Sequence, residues 1–348
     1  MEKMGTQYIG YVGTYTRQSS KGIYRFILDA DTGKLTMPEV AAEVGSPTYL
    51  AISEDRKFLY SVAQQEKLGG VAAFQIVNAA GELKLLNMEV EEGVPPCHLD
   101  VYVDHLVTGN YHEGKVVLYD INHKGKIEPF IDVVEHQGGG PHERQEKPHV
   151  HYTALTPNKD YVVVVDLGTD ELVTYKIENF ELVKVHTLHV KPGSGPRHLT
   201  FHPNGKWAYL LTELSSEVMV LDYDQASGSF SEKQTILAKP EDFAGQNDAS
   251  AIHISPDGRF LYTGNRGDNS LAVFQVDETN GIVELVEFTS TGGEWPRDFC
   301  LDPSGNYLVV ANQHTGNLVL FSRNQETGKL TQLDSEVKVP EGVCVKFL

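Results

Sequence analysis

Short hydrophobic runs, separated by polar turns, recur along the chain at intervals of about fifty residues. Five segments share a strand–turn–strand pattern in which β-branched and aromatic residues flank a polar turn. These segments begin at residues 46, 148, 196, 249 and 296, and a sixth with a tighter connection begins at residue 95. The turn prolines Pro157, Pro203, Pro256 and Pro303 lie 46 to 53 residues apart in succession. This fixed period predicts a repeat architecture.

The turn sequences explain why these runs form strands that fold back on each other. Pro-Asn-Gly, Pro-Asp-Gly and Pro-Ser-Gly occupy residues 203–205, 256–258 and 303–305. Proline presets the φ angle of its position, and glycine accepts the positive φ that the turn requires. Each strand pair is followed by a third hydrophobic run, such as ELVTYKI, and by a more polar fourth, such as GKLTQLDSEV. Four strands in about fifty residues are typical of a β-propeller blade.

The two ends of the chain supply a seventh unit beside the six complete ones. The C-terminal PEGVCVKFL has the pattern of a lone first strand, and residues 7–44 have the pattern of a second, third and fourth strand. Pairing the ends would leave no open edge in the ring. We therefore predict an all-β fold, a seven-bladed β-propeller with four antiparallel strands per blade, as a single domain over residues 1–348. The N-terminal strands would close the last blade on the C-terminal strand. A solenoid is the alternative architecture, but it would require distinct capping repeats.

Composition narrows the class of protein. The chain has 348 residues, of which 40% are hydrophobic and 22% charged, and its formal net charge is −19. Such a charge argues against nucleic acid or an anionic membrane as the main partner, because both require a basic surface. The cysteines Cys97, Cys300 and Cys344 are odd in number and predict reduced thiols. The N-terminal sequence lacks the apolar region of a signal peptide, so we expect a soluble, cytoplasmic protein.

The least strand-like stretch is HQGGGPHERQEKPHVHY, at residues 136–152. It contains four of the fourteen histidines and leads directly into a predicted strand. Long loops that enter a rigid strand commonly carry binding and catalytic residues. This stretch is therefore the enlarged connection in front of a blade, and it would deliver His149 and His151 to the central channel.

Residues at equivalent positions of the repeats differ in chemistry. Immediately after the proline that enters the first strand come His149, Arg197 and Arg297, which we align in one column. The ends of the second strands provide a second column, which includes Tyr111, Glu213 and Arg266. The residues immediately before this column in five of the repeats form a polar set. That set is Asn110, Asp166, Thr212, Asn265 and Asn312. A purely structural repeat should carry similar residues in each column, although polar residues at a channel mouth often bind only ordered water. The divergence therefore predicts an asymmetric ligand in the channel.

Other kinds of site find less support. The pair His149-x-His151 resembles metal ligands, but no Asp, Glu or Cys spacing completes a recognisable metal site. No Gly-x-Ser-x-Gly elbow, Rossmann fingerprint or P-loop is present. We expect neither a metal nor a cofactor.

The motif Gly139-Gly140-Pro141, Arg144-Gln145, Pro148-His149-Val150-His151 resembles the signature of the seven-bladed β-propeller lactonase family. Further matching runs are Asp166-Leu167-Gly168, Gly195-Pro196-Arg197-His198, Thr212-Glu213 and Asn265-Arg266-Gly267. The resemblance spans essentially the whole chain, with His142 and Val150 as departures. That family includes the propeller-type 6-phosphogluconolactonases and the fungal 3-carboxy-cis,cis-muconate lactonizing enzyme. The resemblance implies no cofactor, and it implies a catalytic set of His149, Arg197, Glu213 and Arg266.

We therefore expect hydrolysis of 6-phospho-D-glucono-1,5-lactone, a small anionic substrate, to 6-phosphogluconate in the oxidative pentose phosphate route. A histidine suits the base that activates water, so His149 is assigned that role with His151 in reserve. Glu213 would orient this base or act as the base itself. Arg197 and Arg266 would bind the oxyanion or the phosphate. Further substrate-binding candidates are His151, Arg144, Gln145, Arg297, Asn265, Asn312 and Asp166.

Two other functions stay open at this point. A muconate-type cyclase, or a lactonase for another acid, would use the same arginines because carboxylates and phosphates both bind guanidinium groups. A non-enzymatic propeller that binds proteins is the other alternative, and it predicts apolar rather than charged residues at the channel mouth. No feature of the sequence predicts an oligomeric state.

Overall fold

The structure, a computed structural model, describes residues 6–102 and 104–348, which form 29 β-strands in seven sheets and no helix. The first twelve strands are β1 (Gln7–Thr14), β2 (Gly22–Asp29), β3 (Lys34–Leu35), β4 (Glu39–Glu43), β5 (Leu50–Ile52), β6 (Phe58–Gln65), β7 (Leu68–Ile76), β8 (Leu83–Glu92), β9 (His98–Tyr102), β10 (His105–Asn110), β11 (Lys115–Ile121) and β12 (Ile127–Glu135). The next eight are β13 (Val150–Leu155), β14 (Val162–Asp166), β15 (Glu171–Glu178), β16 (Glu181–His189), β17 (Pro196–Phe201), β18 (Trp207–Thr212), β19 (Glu217–Asp224) and β20 (Ser229–Leu237). The last nine are β21 (Asp248–Ile254), β22 (Phe260–Arg266), β23 (Ser270–Val276), β24 (Val283–Ser290), β25 (Pro296–Leu301), β26 (Tyr307–Asn312), β27 (Asn317–Arg323), β28 (Leu330–Lys338) and β29 (Gly342–Phe347).

Each sheet is one blade. Blades 1 to 6 consist of four consecutive strands each, from β5–β8 to β25–β28, joined as antiparallel neighbours. Blade 7 joins the two ends of the chain, because β29 pairs with β1 and β1 pairs with β2. Its fourth position is shared by the short strands β3 and β4, which both pair with β2. The predicted seven-bladed propeller and its closure by the chain ends are confirmed.

The predicted turns have the expected backbone. Gly205, Gly258 and Gly305 adopt φ angles of 68°, 73° and 68°. In blades 1 and 3 the same place in the turn is taken by Arg56 and Lys159, whose φ angles of 56° and 61° are unusual for residues with a side chain. In all five turns the amide at this position donates to the carbonyl three residues earlier. The local turn chemistry therefore fixes the first two strands of each of these blades.

The core lies between the blades rather than at the centre of the ring. Seven buried hydrophobic clusters each combine residues from two neighbouring blades. In the cluster between blades 7 and 1, for example, Tyr11 and Ile23 pack with Leu59 and Phe74. The inner strands β5, β9, β13, β17, β21, β25 and β29 contact one another in turn around the central channel. This arrangement brings the start of each inner strand and the end of each second strand to one mouth of the channel.

Candidate active site

The strand register shows which residues share a level of the channel. Each inner strand begins opposite the last residue of a second strand, in the pairs Val150–Asp166, Pro196–Thr212 and Pro296–Asn312. The residue after each of these strand starts is His151, Arg197 or Arg297. Our alignment of His149 with the two arginines is therefore wrong by two residues. The physical reason is that the loop before β13 is longer, so His149 lies in front of the strand, where its amide donates to Asp166.

A single carboxylate, that of Glu213, lies at the centre of the site. Glu213 follows the end of β18 and is 2% exposed. Its Oε2 accepts a hydrogen bond from Arg266 Nη2 at 2.7 Å and lies 2.9 Å from Arg197 Nε. The Arg197 contact is an ion pair without an aligned hydrogen bond, because Nε has no hydrogen-bond acceptor. Arg144 Nη2 donates to the other oxygen, Oε1. Three arginines from three separate segments thus share one buried anion.

This environment determines the protonation state of Glu213. Burial by itself would raise the pKa of the carboxyl group, but Arg266, Arg197 and Arg144 together hold it well below the ordinary value. Glu213 is therefore a carboxylate at neutral pH and a weak proton acceptor. This geometry favours a role for Glu213 in orienting the arginines, rather than in removing a proton from water.

The two buried arginines are anchored on one side and open on the other. Arg266 Nε and Nη2 donate to the carbonyls of Asp248 and Ala249 at 3.0 Å each. Arg197 Nη1 donates to the carbonyl of Ser250. Within residues 6–102 and 104–348, no protein group accepts a hydrogen bond from Arg197 Nη2 or Arg266 Nη1. These two terminal nitrogens are available to an oxyanion or a carboxylate.

The loop at residues 136–149 contributes one arginine and is held by one glutamine. Arg144 also donates from Nη1 to Asp248 at 3.1 Å, so it joins two carboxylates. Gln145 is 1% exposed, and its Nε2 donates to the Leu167 carbonyl at 2.8 Å. Its Oε1 accepts the amide of His142 at 3.1 Å. The structure therefore gives Gln145 partners within the protein, and its predicted contact with substrate is untested.

The two histidines of this stretch both contact the Tyr111 ring. His149 stacks on that ring with centroids 4.3 Å apart, and His151 meets it edge-on at 5.4 Å. His149 Nδ1 lies 2.8 Å from the Tyr111 carbonyl, which can only accept, so Nδ1 carries a proton and Nε2 is the ring nitrogen that can exchange one. Glu146 Oε1 lies 3.2 Å from that Nε2. His149 is thus oriented like a general base with a carboxylate beside it.

His151 has a different environment. Its Nε2 lies 3.9 Å from Glu213, and its Nδ1 lies 4.0 Å from the Cys97 sulfur. Burial and the nearby Arg197 hold the pKa of His151 well below the usual value for histidine, although Glu213 opposes them. His151 is therefore a neutral side chain next to the arginines. It is better suited to hydrogen bonding than to accepting a proton.

Three predicted substrate-binding residues form hydrogen bonds with other groups of the protein. Asp166 accepts from His136 Nδ1 at 2.7 Å and from backbone amides that include that of His149. Asn265 donates to the Ala238 carbonyl at 2.8 Å, and Asn312 donates to the Thr291 carbonyl at 3.1 Å. These side chains orient the loops that follow the second strands. Their contact with substrate stays a prediction.

Arg297 lies near the buried arginines but has no carboxylate partner among the described residues. Its guanidinium carbon is 5.7 Å from the centre of the Tyr15 ring, and that of Arg17 is 4.0 Å from the same ring. Three arginines form ion pairs with Glu213, Arg144 also pairs with Asp248, and Arg297 adds a fourth positive charge near Arg197 and Arg266. The channel mouth of this acidic protein is locally positive, as an anionic ligand requires.

Sequence reasoning did not single out several of these groups. Asp248, Glu146 and Arg17 have no repeat-related signal, because their roles depend on contacts between distant loops. Tyr15 follows the end of β1 as Glu213 follows the end of β18, and the sequence indicated only that it ends near the channel. Tyr111 holds the same place after β10 and was noted without being assigned a role.

The described part of the chain contains no group of three or more His, Cys, Asp or Glu residues that could hold a metal ion. The three cysteines are free thiols. No helix long and apolar enough to cross a membrane occurs in the residues that the structure describes. The expectation of a cytoplasmic location is not tested by these observations.

Comparison with known proteins adds to this geometry. The profile of the family "Lactonase, 7-bladed beta-propeller" matches residues 9–347. The chain belongs to this family. A member from Bacillus subtilis named 6-phosphogluconolactonase is 49% identical over 345 residues, which are 99% of each chain. The lactonase family was identified correctly from the sequence motifs.

Two solved structures show the same fold along the whole length of the lactonase chain. A protein from Lactobacillus plantarum is 40% identical with a TM-score of 0.94, covering 99% of this chain and 100% of its own. The periplasmic gluconolactonase PpgL of Pseudomonas aeruginosa is 31% identical with a TM-score of 0.93, covering 99% of each chain. The expectation that the chain is a lactonase-type enzyme is confirmed at the level of the family.

Proposed function

We propose that this protein hydrolyses 6-phospho-D-glucono-1,5-lactone to 6-phosphogluconate. The observation that carries the proposal is a histidine at the channel mouth whose Nδ1 is held by a backbone carbonyl and whose Nε2 faces an exposed carboxylate, beside unpaired guanidinium nitrogens. The name of the Bacillus subtilis relative, 49% identical over nearly the full length, supports the same substrate. The reaction is the second step of the oxidative pentose phosphate route. A cytoplasmic location would suit that route.

The proposed chemistry requires a base, an oxyanion site and a proton donor. His149 Nε2 takes a proton from water as the oxygen attacks the lactone carbonyl carbon. The carbonyl electrons move onto oxygen, and Arg197 Nη2 and Arg266 Nη1 donate to the oxyanion. The tetrahedral intermediate then collapses, the bond to the ring oxygen breaks, and the His149 imidazolium returns the proton to that oxygen. The products are the open-chain acid and the unprotonated histidine.

The neighbours of His149 support this cycle. The Tyr111 carbonyl fixes the tautomer through Nδ1, and the ring stacking fixes the plane of the imidazole. Glu146 stabilises the imidazolium while the intermediate exists, because it lies 3.2 Å from Nε2. In this scheme Glu213 keeps Arg197 and Arg266 in place and takes no proton. His151 donates a hydrogen bond within the site.

The test is the rate at which purified protein removes freshly prepared 6-phosphogluconolactone above the spontaneous rate. We expect His149→Gln to lower kcat by about 100-fold or more, the usual contribution of a general base. His123→Gln is the matched control, since His123 is exposed on a turn of blade 2. Circular dichroism should show that both variants are folded. Full activity of His149→Gln would refute the assigned base, and an inactive wild-type protein would refute the proposed reaction.

An unphosphorylated aldonolactone is the second candidate substrate. The observation that favours it is the Pseudomonas aeruginosa relative, which is named a gluconolactonase. The ring and the carbonyl group of the two lactones are the same, so the groups around His149 would serve both. Comparing kcat/KM for gluconolactone and its 6-phosphate separates the two candidates.

A further inference from the structure

Two arginines at the channel mouth, unlike Arg144, Arg197 and Arg266, have no carboxylate partner among the described residues. Arg17 and Arg297 both lie against the Tyr15 ring, with guanidinium carbons 4.0 Å and 5.7 Å from its centre. In the described residues, six arginines other than Arg17 and Arg297 form ion pairs with carboxylates. These are Arg25, Arg144, Arg197, Arg259, Arg266 and Arg323. Two positive charges thus share one aromatic ring without a counter-charge.

The backbone around Tyr15 holds this arrangement. The amide of Tyr15 donates to the carbonyl of Glu341 at 3.1 Å, and the amide of Gln18 donates to the Glu341 carboxylate at 2.8 Å. Glu341 therefore fixes the loop that carries Arg17 instead of neutralising it. The Tyr15 ring can hold both guanidinium groups, because a cation within about 6 Å of an aromatic face is attracted to it.

This pair is adjacent to the site already described. Arg297 shares the level of Arg197 in the channel, as the strand register shows. Its charge contributes, after burial and Arg266, to lowering the pKa of Arg197. It also lowers the pKa of Arg266, after the larger effect of burial and against the effect of Glu213. Arg17 is exposed, so it lies on the solvent side of the mouth.

We propose that Arg17, Tyr15 and Arg297 form a phosphate clamp that makes the enzyme prefer phosphorylated lactones. The inference rests on the proposed function and specifies its substrate class. A phosphate ester carries close to two negative charges and three acceptor oxygens, which suit two guanidinium forks. The lactone carbonyl would then face His149, Arg197 and Arg266 while the remote phosphate lies between Arg17 and Arg297.

Arg144 is a weaker candidate for the phosphate. Its two terminal nitrogens already donate to Glu213 and Asp248. A phosphate there would compete for the guanidinium charge with two carboxylates, one of which is 2% exposed. Arg17 and Arg297 lose no such partner when an anion arrives.

The test compares 6-phosphogluconolactone with gluconolactone in the wild type, Arg17→Ala, Arg297→Ala and the double variant. A charge-assisted hydrogen bond is worth about a 10- to 100-fold change in affinity. We therefore expect each single variant to lose about 10-fold or more in kcat/KM for the phosphorylated substrate, mostly through KM. The loss for gluconolactone should be smaller, because that substrate has no phosphate to lose, so the ratio of kcat/KM for the two lactones should fall in each variant. Arg297→Lys should restore part of the preference, because lysine still binds phosphate as a point charge.

Arg259→Ala is the matched control, since this arginine lies in the turn before β22 and pairs with Glu278 and Glu326. It should leave the kcat/KM for both substrates unchanged. Equal losses for both lactones in the Arg17 and Arg297 variants, or unchanged preference in the double variant, would overturn the clamp.

Calorimetric titration with 6-phosphogluconate and with gluconate provides a readout without turnover. The clamp predicts that the wild type binds the phosphorylated acid more tightly and that the double variant binds the two acids alike. A wild type that hydrolyses neither lactone but still shows this difference would refute the proposed reaction and keep the clamp. A wild type that hydrolyses the phosphorylated lactone while the double variant keeps its selectivity would refute only the clamp.

Discussion

Glu213→Gln removes the one carboxylate that three arginines share, with almost no change in side-chain volume. In the wild type, Arg144, Arg197 and Arg266 contact its two oxygens, and the carboxyl group is 2% exposed. The amide of glutamine can still accept hydrogen bonds, but it carries no charge. The variant therefore leaves three guanidinium groups close together with their common counter-charge removed, and with Arg297 nearby.

The expected loss of stability follows from this geometry. Removing one partner of a buried ion pair costs about 3–5 kcal/mol, because the remaining charge stays desolvated. An unfolding entropy of about 2.1 cal/mol/K per residue, applied to 348 residues, converts this loss to a fall in Tm of ~4–7 °C. Activity should fall as well, since Arg197 and Arg266 lose the anion that orients them.

The loss should depend on pH in a defined direction. The arginines hold the pKa of Glu213 well below its ordinary value although burial acts in the other direction. A carboxyl group with a depressed folded-state pKa stabilises the protein fully above its unfolded-state pKa, about 4.3, and this contribution disappears as the pH falls through the folded-state pKa. The difference in Tm between wild type and variant should therefore be constant from pH 6 to 8 and shrink below about pH 4.3.

Differential scanning calorimetry of both proteins from pH 3.5 to 8 measures this difference. Glu39→Gln is the control, because Glu39 forms an ion pair with Arg25 at the protein surface and such a pair is worth about 1 kcal/mol or less. A Glu213→Gln variant whose Tm lies within 1 °C of the wild type at pH 7, or whose deficit grows on acidification, would refute the reasoning.

Two further predictions concern other parts of the structure. Burial raises the pKa of Cys97 to about 11, so its thiol stays protonated at pH 8 and reacts slowly with alkylating agents. Activity should therefore survive treatment with iodoacetamide, and Cys97→Ser should keep kcat within about threefold of the wild type. Alkylation of Cys97 in step with loss of activity would contradict this. Deleting residues 342–348 removes β29 from blade 7 and exposes the core between blades 6 and 7, where Val12 packs with Val345. We expect this truncated chain to lose cooperative thermal unfolding and to aggregate in gel filtration, whereas a monomer with the wild-type Tm would show that the closing strand is dispensable.

The sequence predicted the candidate site in part. Glu213, Arg197 and Arg266 were identified because they stand at repeat-equivalent positions where the chemistry diverges, and the structure brings all three into contact. The sequence could not show that a third arginine also contacts the Glu213 carboxylate, since Arg144 lies in a loop 69 residues away along the chain. The same limit applies to Arg17 and Tyr15, whose pairing with Arg297 joins the N-terminal segment to blade 6.

Local chemistry alone determined the number of blades and the closure of the ring. Proline and glycine in the turns, with alternating hydrophobic runs beside them, act within a few residues and are therefore readable along the chain. The level of each side chain in the channel was decided only by strand pairing. The loop before β13 is two residues longer than simple alignment on proline suggests, so His151 takes the position of the arginines and His149 stacks on Tyr111 in front of the strand. A register of this kind depends on hydrogen bonds between strands that the sequence does not specify locally.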